Sequence, residues 1–404
     1  MSPPDRPRPG PLLVTLAYVG FISLGLPDAL TGVAWPGVRS AFGLAQGSFG
    51  LVFVASGAGY FATSFAAGRL TRALGIGPLL AASTSLVAAA LFGFAAAPGW
   101  GWFVACAVAH GLGSGAIDAG LNGFAAERLS PRQMNWLHAC YCFGTMLGPL
   151  LMTAMLGSGR PYAAGYAAAG GAMLALAAVF LATAPRWGGT ATASSTAPGG
   201  AAAMPVGMLA TLGHPLVALQ MAVFFLYTGL EGALGQWAYT VLTESRGVAP
   251  GAAGVAVGAY WASLGVGRVL AGIVADRVGP DRLIRLGLLV AAAGAAIFAV
   301  PAGVAGAAAG LMLAGLGLAP VFPALMTRTP GRLGPGLAAH AVGFQVGAAM
   351  VGVAALPGAL GLLAGRVGLE AIPLGALALA VAVGLLHEAL ARRPDLAAGA
   401  GNGR

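Results

Sequence analysis

Twelve apolar stretches of membrane-crossing length follow one another along this chain, near residues 11–35, 47–68, 76–97, 100–125, 133–157, 162–184, 214–242, 252–274, 282–301, 303–326, 336–362 and 368–391. A helix needs about 20 largely apolar residues to cross a bilayer. Only short polar breaks separate the stretches, the ninth and tenth being parted by AVPAGVAG alone. Of the 404 residues just 8% are charged, against about 25% in a soluble protein. Too few charges remain to clothe a water-facing surface. The pattern therefore predicts an all-α membrane protein with 12 transmembrane helices and no large soluble domain. The opening MSPPDRPRPG before the first apolar run looks like a secretory leader, but that run continues through Pro27 and Asp28. It is expected to be an uncleaved first span.

The formal net charge is +9, and all 20 basic residues are Arg. They fall in ones, twos and threes between apolar segments, with no basic run interleaved with aromatics, so nucleic acid is not the expected partner. With the N-terminus placed inside, fifteen of the 20 arginines fall on that side, thirteen in the alternate, inside segments and two, Arg282 and Arg285, at the inside edge of the ninth span. Positive charge concentrates on the cytoplasmic side of membrane proteins. The expectation is a multi-pass protein of the plasma (inner) membrane with both termini cytoplasmic. The three cysteines, Cys106, Cys140 and Cys142, sit in apolar context and read as packed side chains. No metal or other cofactor is expected.

Residues 185–213 are rich in Gly, Ala, Ser, Thr and Pro and read as a flexible linker. The expected organisation is a six-helix bundle over 1–184, a cytoplasmic linker over 185–213, a second six-helix bundle over 214–393 and a flexible tail over 394–404. The halves match at a constant spacing of 204 residues: Gly25, Leu26, Ala29 and Leu30 with Gly229, Leu230, Ala233 and Leu234; Gly68 and Gly75 with Gly272 and Gly279; Gly111, Leu112 and Gly113 with Gly315, Leu316 and Gly317. A pseudo-twofold pair of six-helix repeats is an arrangement of secondary transporters, with the solute site near the midplane.

Against this apolar background a few polar residues stand out. His110, Ser114, Asp118 and Asn122 recur every four residues and so share one helix face in span four. Asp118 lies nine residues before Glu127, about 13 Å along a helix, which places it near mid-membrane. Intramembrane acids mark substrate or proton pathways, so Asp118 is a candidate for proton coupling or solute binding, with Asn122 beside it. Asp28 follows Pro27 in span one, between Gly25 and Gly32; helix breakers beside an acid predict a discontinuous helix lining a cavity. Glu231 in span seven, with Gln236 and Trp237 after it, is the third acid within a span. Asn135, His138, Cys142 and Thr145 share a face of span five, where Gly144, Gly148 and Pro149 are expected to kink or loosen the helix. Trp261 in span eight and Gln345 in span eleven add candidate lining. Arg268, inside span eight, needs a carboxylate or water, and Asp276 two turns on is one candidate.

The segment GIVADRVG, residues 272–279, resembles the cytoplasmic loop signature of the major facilitator superfamily, Gly-x-x-x-Asp-Arg-x-Gly. Gly272 is expected to allow close helix approach, Asp276 to cap a helix or pair with Arg, and Arg277 and Gly279 complete the motif. The first-half copy, GRLTRALG at 68–75, keeps both glycines but has Arg72 at the acid's place. Three longer stretches, DALTGVAWPGVRSAFG, DAGLNGFAAERLSPRQMNWLHACYCFGTMLGP and YTGLEGALGQWAY through GRVLAGIVADRVG, resemble fucose-permease-like members of that superfamily. This resemblance implies proton-coupled sugar symport. It also implies that Asp28 and Asp118 match the family's acids of spans one and four, tied to sugar binding and proton coupling. Span four carries Asp where the fucose permease has Glu.

The expected function is proton-coupled symport of a small polar solute, a sugar, by a monomer in membrane lipid that rocks residues 11–184 against 214–391. The alternative is proton-coupled export of drugs or metabolites. Exporters of this superfamily often carry Gly-Pro followed by Gly-Gly in span five, and here Gly148-Pro149 is followed by Leu150-Leu151. An enzyme is not expected: one helix face bearing His110, Ser114 and Asp118 rarely supplies the convergent geometry of a triad.

Overall fold

The computed structural model describes residues 9–187 and 207–396. The expected linker falls largely outside these residues, as does most of the expected tail. The described residues contain 12 helical spans long and apolar enough to cross a membrane. The chain divides into two compact units, Met1–Leu44 with Leu51–Ser194 and Ala45–Gly50 with Ser195–Arg404.

The first unit contains α1 (Pro11–Phe42), α2 (Phe49–Leu74), α3 (Ile76–Ala95), α4 (Trp100–Arg128), α5 (Pro131–Gly157) and α6 (Tyr162–Thr183). The second contains a short α7 (Met208–Leu212), then α8 (Pro215–Thr240), α9 (Pro250–Val278), α10 (Pro280–Ala299), α11 (Gly303–Leu318), α12 (Val321–Leu333), α13 (Pro335–Val367) and α14 (Ala371–Ala391). Pro11, Pro131, Pro215, Pro250, Pro280 and Pro335 stand in the first turn of their helices. A missing N–H costs nothing there, because those N–H groups have no helical acceptor. Ser130 and Gln133 form a capping box at the start of α5, which satisfies two of the end donors reciprocally.

The 204-residue repeat is visible inside each unit. Helices open at Pro11 and Pro215, at Ile76 and Pro280, and at Pro131 and Pro335. Gly43 and Gly247 have φ of 63° and 64°, and Gly75 and Gly279 have φ of 79° and 80°. Side chains with a Cβ disfavour this left-handed region, so the glycines ending both copies of the loop signature are set by backbone geometry. In the first unit α1 packs on α5, and α3 on α4 and α6; in the second α8 packs on α13, and α10 on α11 and α14.

The closest crossings are built on glycine. A Cβ on Gly144 or Gly148 of α5 would strike the carbonyl of Ile22 or Leu26 in α1, and one on Gly25 would strike Tyr141 O in α5. In the α2–α4 crossing Gly111 meets Ser56 O and Gly115 meets Tyr60 O; in the second unit Gly315 meets Tyr260 O at the corresponding place. Gly144 and Gly148 are thus contact points rather than hinges, and α5 runs unbroken through Pro149. Gly144→Leu should destabilise the protein by about 1–3 kcal/mol, the usual cost of overpacking. Gly272→Ala should leave stability unchanged or raise it by up to about 1 kcal/mol, the helix-propensity gain, because nothing lies within 4 Å of the added Cβ. Thermal unfolding of the two detergent-purified variants checks the contrast. Open space at Gly272 also corrects the expectation of a close helix approach there; that face of α9 is exposed.

Two further expectations change. Span one is a single continuous helix, Pro11–Phe42, with Pro27 and Pro36 inside it; the intimate α5 contact holds its backbone through the proline. The interrupted span is the tenth, where Pro320 separates α11 from α12. Proline has no N–H and disfavours helix at the preceding residue, Ala319.

Residues 45–50 pack within the second unit. Gln46 Nε2 donates to Glu244 Oε2 at 2.8 Å, and the Phe49 ring stands edge-on to Trp237 with centroids 5.2 Å apart. Beyond the π turn Val241–Ser245, Arg246 donates to both oxygens of Glu370 at 3.0 and 2.7 Å. These hydrogen bonds hold the Glu370 carboxyl below the usual glutamate range.

Candidate functional site

The glycine crossings decide which side chains meet in the first unit. With α1 and α5 in contact at Gly25, Tyr141 faces Asp28, and its hydroxyl donates to Asp28 Oδ2 at 3.0 Å. With α2 and α4 in contact at Gly111 and Gly115, Ser56 and Tyr60 face the polar stripe of α4. Tyr60 donates to Asp118 Oδ2 at 2.5 Å. Asn122 Nδ2 donates to the other oxygen, Oδ1, at 2.9 Å. That bond spans one helical turn, which explains an amide four residues after an acid. Both of these donors favour a carboxylate acceptor.

His110 lies about two helical turns before Asp118 on the same helix, with its ring 6.4 Å from Phe94. Its Nδ1 is 3.2 Å from Ser56 Oγ, and its Nε2 is 3.9 Å from Asp28 Oδ1. Nε2 is buried and makes no hydrogen bond, a condition that ordinarily costs about 1–3 kcal/mol. The Asp28 side chain is 36% exposed and that of His110 9%. Ser114, between His110 and Asp118 on the stripe, is buried.

A second polar group forms in the second unit. The Tyr227 hydroxyl donates to Glu231 Oε2, and Arg268 Nη2 lies 3.5 Å from Glu231 Oε1. Tyr260 donates to the Glu231 carbonyl at 2.8 Å. Tyr227 also lies 3.3 Å from the Leu318 carbonyl, at the break between α11 and α12. Arg268 thus finds its carboxylate in Glu231. Asp276, the sequence's candidate, has a side chain outside the described residues.

A model of the Major Facilitator Superfamily matches residues 17–344 and, in a second match, residues 219–403. The chain belongs to the Major Facilitator Superfamily. Solved structures of this fold agree. A bacterial homolog of the human lysosomal transporter Spinster, inward-facing and occupied, matches with a TM-score of 0.75 at 12% identity, covering 94% of this chain and 96% of that one. The nucleoside transporter NupG matches with a TM-score of 0.69 at 15% identity, covering 95% of this chain and 100% of that one. No curated protein matches the sequence significantly.

Within this superfamily transporter the remaining sequence candidates are placed as follows. Trp237 is fully buried, and its indole N–H donates to Pro357 O at 2.9 Å within the second unit. Gln345 is likewise fully buried. Its Nε2 donates to Gln220 Oε1 at 2.9 Å, and its Oε1 accepts from Thr329 at 3.1 Å, so its polar atoms serve helix packing. Trp261 is nearly buried against Tyr260, at a ring separation of 5.1 Å, and Gln236 is buried in α8. His138 is exposed and stands edge-on to Phe21 at 5.4 Å. Arg277 is exposed near the end of α9.

The sequence reading missed Ser56, Tyr60, Tyr141 and Tyr227. A signal existed for three of them. Ser56 and Tyr60 are four residues apart in SGAGYFATS, a small polar stripe like that of span four. Tyr227 lies four residues before Glu231. Among the described residues, no three or more His, Cys, Asp or Glu side chains are grouped to hold a metal ion.

Proposed function

We propose that this superfamily transporter is a proton-coupled symporter of a small polar solute of the sugar class, working by alternating access in the plasma (inner) membrane with both termini cytoplasmic. The observation that carries the reading is the paired arrangement on the first unit: Asp28 held by Tyr141 and flanked by His110, and Asp118 held by Tyr60 and Asn122. Acids inside spans mark proton and substrate pathways. Carboxylate, phenol, imidazole and amide groups together match the many hydroxyls of a sugar, each of which donates and accepts. The fucose-permease-like segments of the sequence support the same reading.

The test is the external pH of lightly buffered proteoliposomes on adding L-fucose, D-galactose, D-glucose, uridine or tetraphenylphosphonium. Uridine is included because its ribose offers the same hydroxyl chemistry and because one structural neighbour is a nucleoside transporter. Alkalinisation by a sugar is expected. Alkalinisation by uridine alone transfers the reading to nucleosides. Proton movement only with the lipophilic cation replaces symport by export.

A further inference from the structure

We propose that His110 is the positioning residue of the coupling proton: with Ser56 and Asp28 it forms a triad whose hydrogen bonds close in both protonation states of Asp28. The inference rests on the proton-coupled reading above.

The argument starts from the buried Nε2 of His110, which has no hydrogen-bond partner and faces Asp28 Oδ1 across 3.9 Å. That separation exceeds a hydrogen bond by about 1 Å. On the other side of the ring, Nδ1 is already paired with the Ser56 hydroxyl at 3.2 Å. A hydroxyl both donates and accepts, and a neutral imidazole carries its one proton on either nitrogen. Two complete arrangements follow. When Asp28 is protonated, its O–H donates to Nε2, and Nδ1–H donates to Ser56 Oγ. When Asp28 is ionised, Nε2–H donates to the carboxylate, and the Ser56 hydroxyl turns to donate to Nδ1. The second arrangement holds one proton fewer than the first. The protons move as a relay: Asp28 passes its proton to Nε2, Nδ1–H passes its own to Ser56 Oγ, and the original hydroxyl proton of the half-buried Ser56 leaves to water. The imidazole is neutral before and after, with its tautomer exchanged.

Asp118 lacks such a device. Both of its oxygens already accept, from Tyr60 and from Asn122. Neither partner is a titrating base. Facing the triad are Phe94 of α3 against the His110 ring, Tyr60 of α2 and Tyr141 of α5 on the two carboxyls, and Asp118 further along α4. A proton arriving at Asp28 finds in His110 an acceptor able to rearrange.

Infrared difference spectroscopy of the full chain in liposomes, titrated with pH and without solute, tests this directly. The carboxylic-acid C=O stretch lost in Asp28→Asn is assigned to Asp28. In His110→Gln, which keeps a partner for Ser56 but cannot exchange tautomers, that band should shift in frequency, and its titration midpoint should move by about one pH unit or more. Ser56→Ala, which frees the tautomer from the other side, should move it too and serves if His110→Gln does not yield a monodisperse protein. An Asp28 band unchanged in both variants, or no band assignable to Asp28, overturns the triad. The two readings fail separately. Absence of solute-driven alkalinisation in the wild type with the infrared behaviour intact rejects symport and leaves the triad; the converse rejects the triad and leaves symport.

Discussion

Asp28→Asn is expected to abolish accumulation of the solute against its gradient while leaving exchange across the membrane in place. Moving one elementary charge across 100 mV is worth about 2.3 kcal/mol, which corresponds to a roughly fiftyfold accumulation when one proton accompanies each solute. Asn has the shape of Asp and accepts from Tyr141 as Asp28 Oδ2 does at 3.0 Å, but it cannot release a proton. The cycle then runs with solute alone, and accumulation falls to unity. Exchange of labelled for unlabelled solute needs binding and reorientation only. Asp118→Asn should do something different. Its amide offers one acceptor where Tyr60 and Asn122 now donate to two oxygens, so one donor loses its partner in a low-dielectric site. Solute affinity should fall at least about tenfold, the equivalent of one lost hydrogen bond to a charged group, and exchange should fall with it. Parallel uptake and exchange assays on the two variants separate the roles. If Asp118→Asn retains exchange and loses accumulation while Asp28→Asn loses both, the assignment is reversed.

What the sequence reveals and what it hides follows from the distance between interacting residues. The pairing of Asp118 with Asn122 was legible because a four-residue spacing is one turn of a helix, fixed by local geometry. The contact of Tyr141 with Asp28 joins residues 113 apart and depends on how α1 meets α5. Glycines at 25, 144 and 148 allow that approach, yet in sequence the same glycines suggest loosening. Hydropathy located all twelve spans because each must match a bilayer. It shortened the first by seven residues, since the helix continues through polar residues to Phe42 and stops only where Gly43 turns to φ 63°. Trp237 shows the same limit: its indole N–H donates to a carbonyl of α13, 120 residues on, and that choice is invisible without the fold. Pro27 and Pro320 look alike in sequence. Only the second interrupts its span, and there the Leu318 carbonyl lies within reach of the Tyr227 hydroxyl.

Arg268→Met should destabilise the protein by about 3 kcal/mol. Removing one member of a buried ion pair costs about 3–5 kcal/mol because the other charge is left uncompensated. The Arg268 and Glu231 side chains are 24% and 16% exposed, so the lower end applies. Glu231→Gln introduced into the Arg268→Met protein should recover most of the loss, since the uncompensated charge is then gone, and the glutamine can still accept from Tyr227. Thermal unfolding of the single and double variants in detergent measures the coupling directly. This distinguishes two uses of the same acid. An acid whose main partner is Arg268 lowers stability when either member is changed alone and recovers when both are. An acid kept for the solute leaves the unfolding temperature almost unchanged in Glu231→Gln and abolishes uptake instead. The hydroxyl of Tyr227, the hydrogen bond from Tyr260 to the Glu231 carbonyl and the guanidinium at 3.5 Å tie Glu231 into the second unit, and the recovery in the double variant is the expected result.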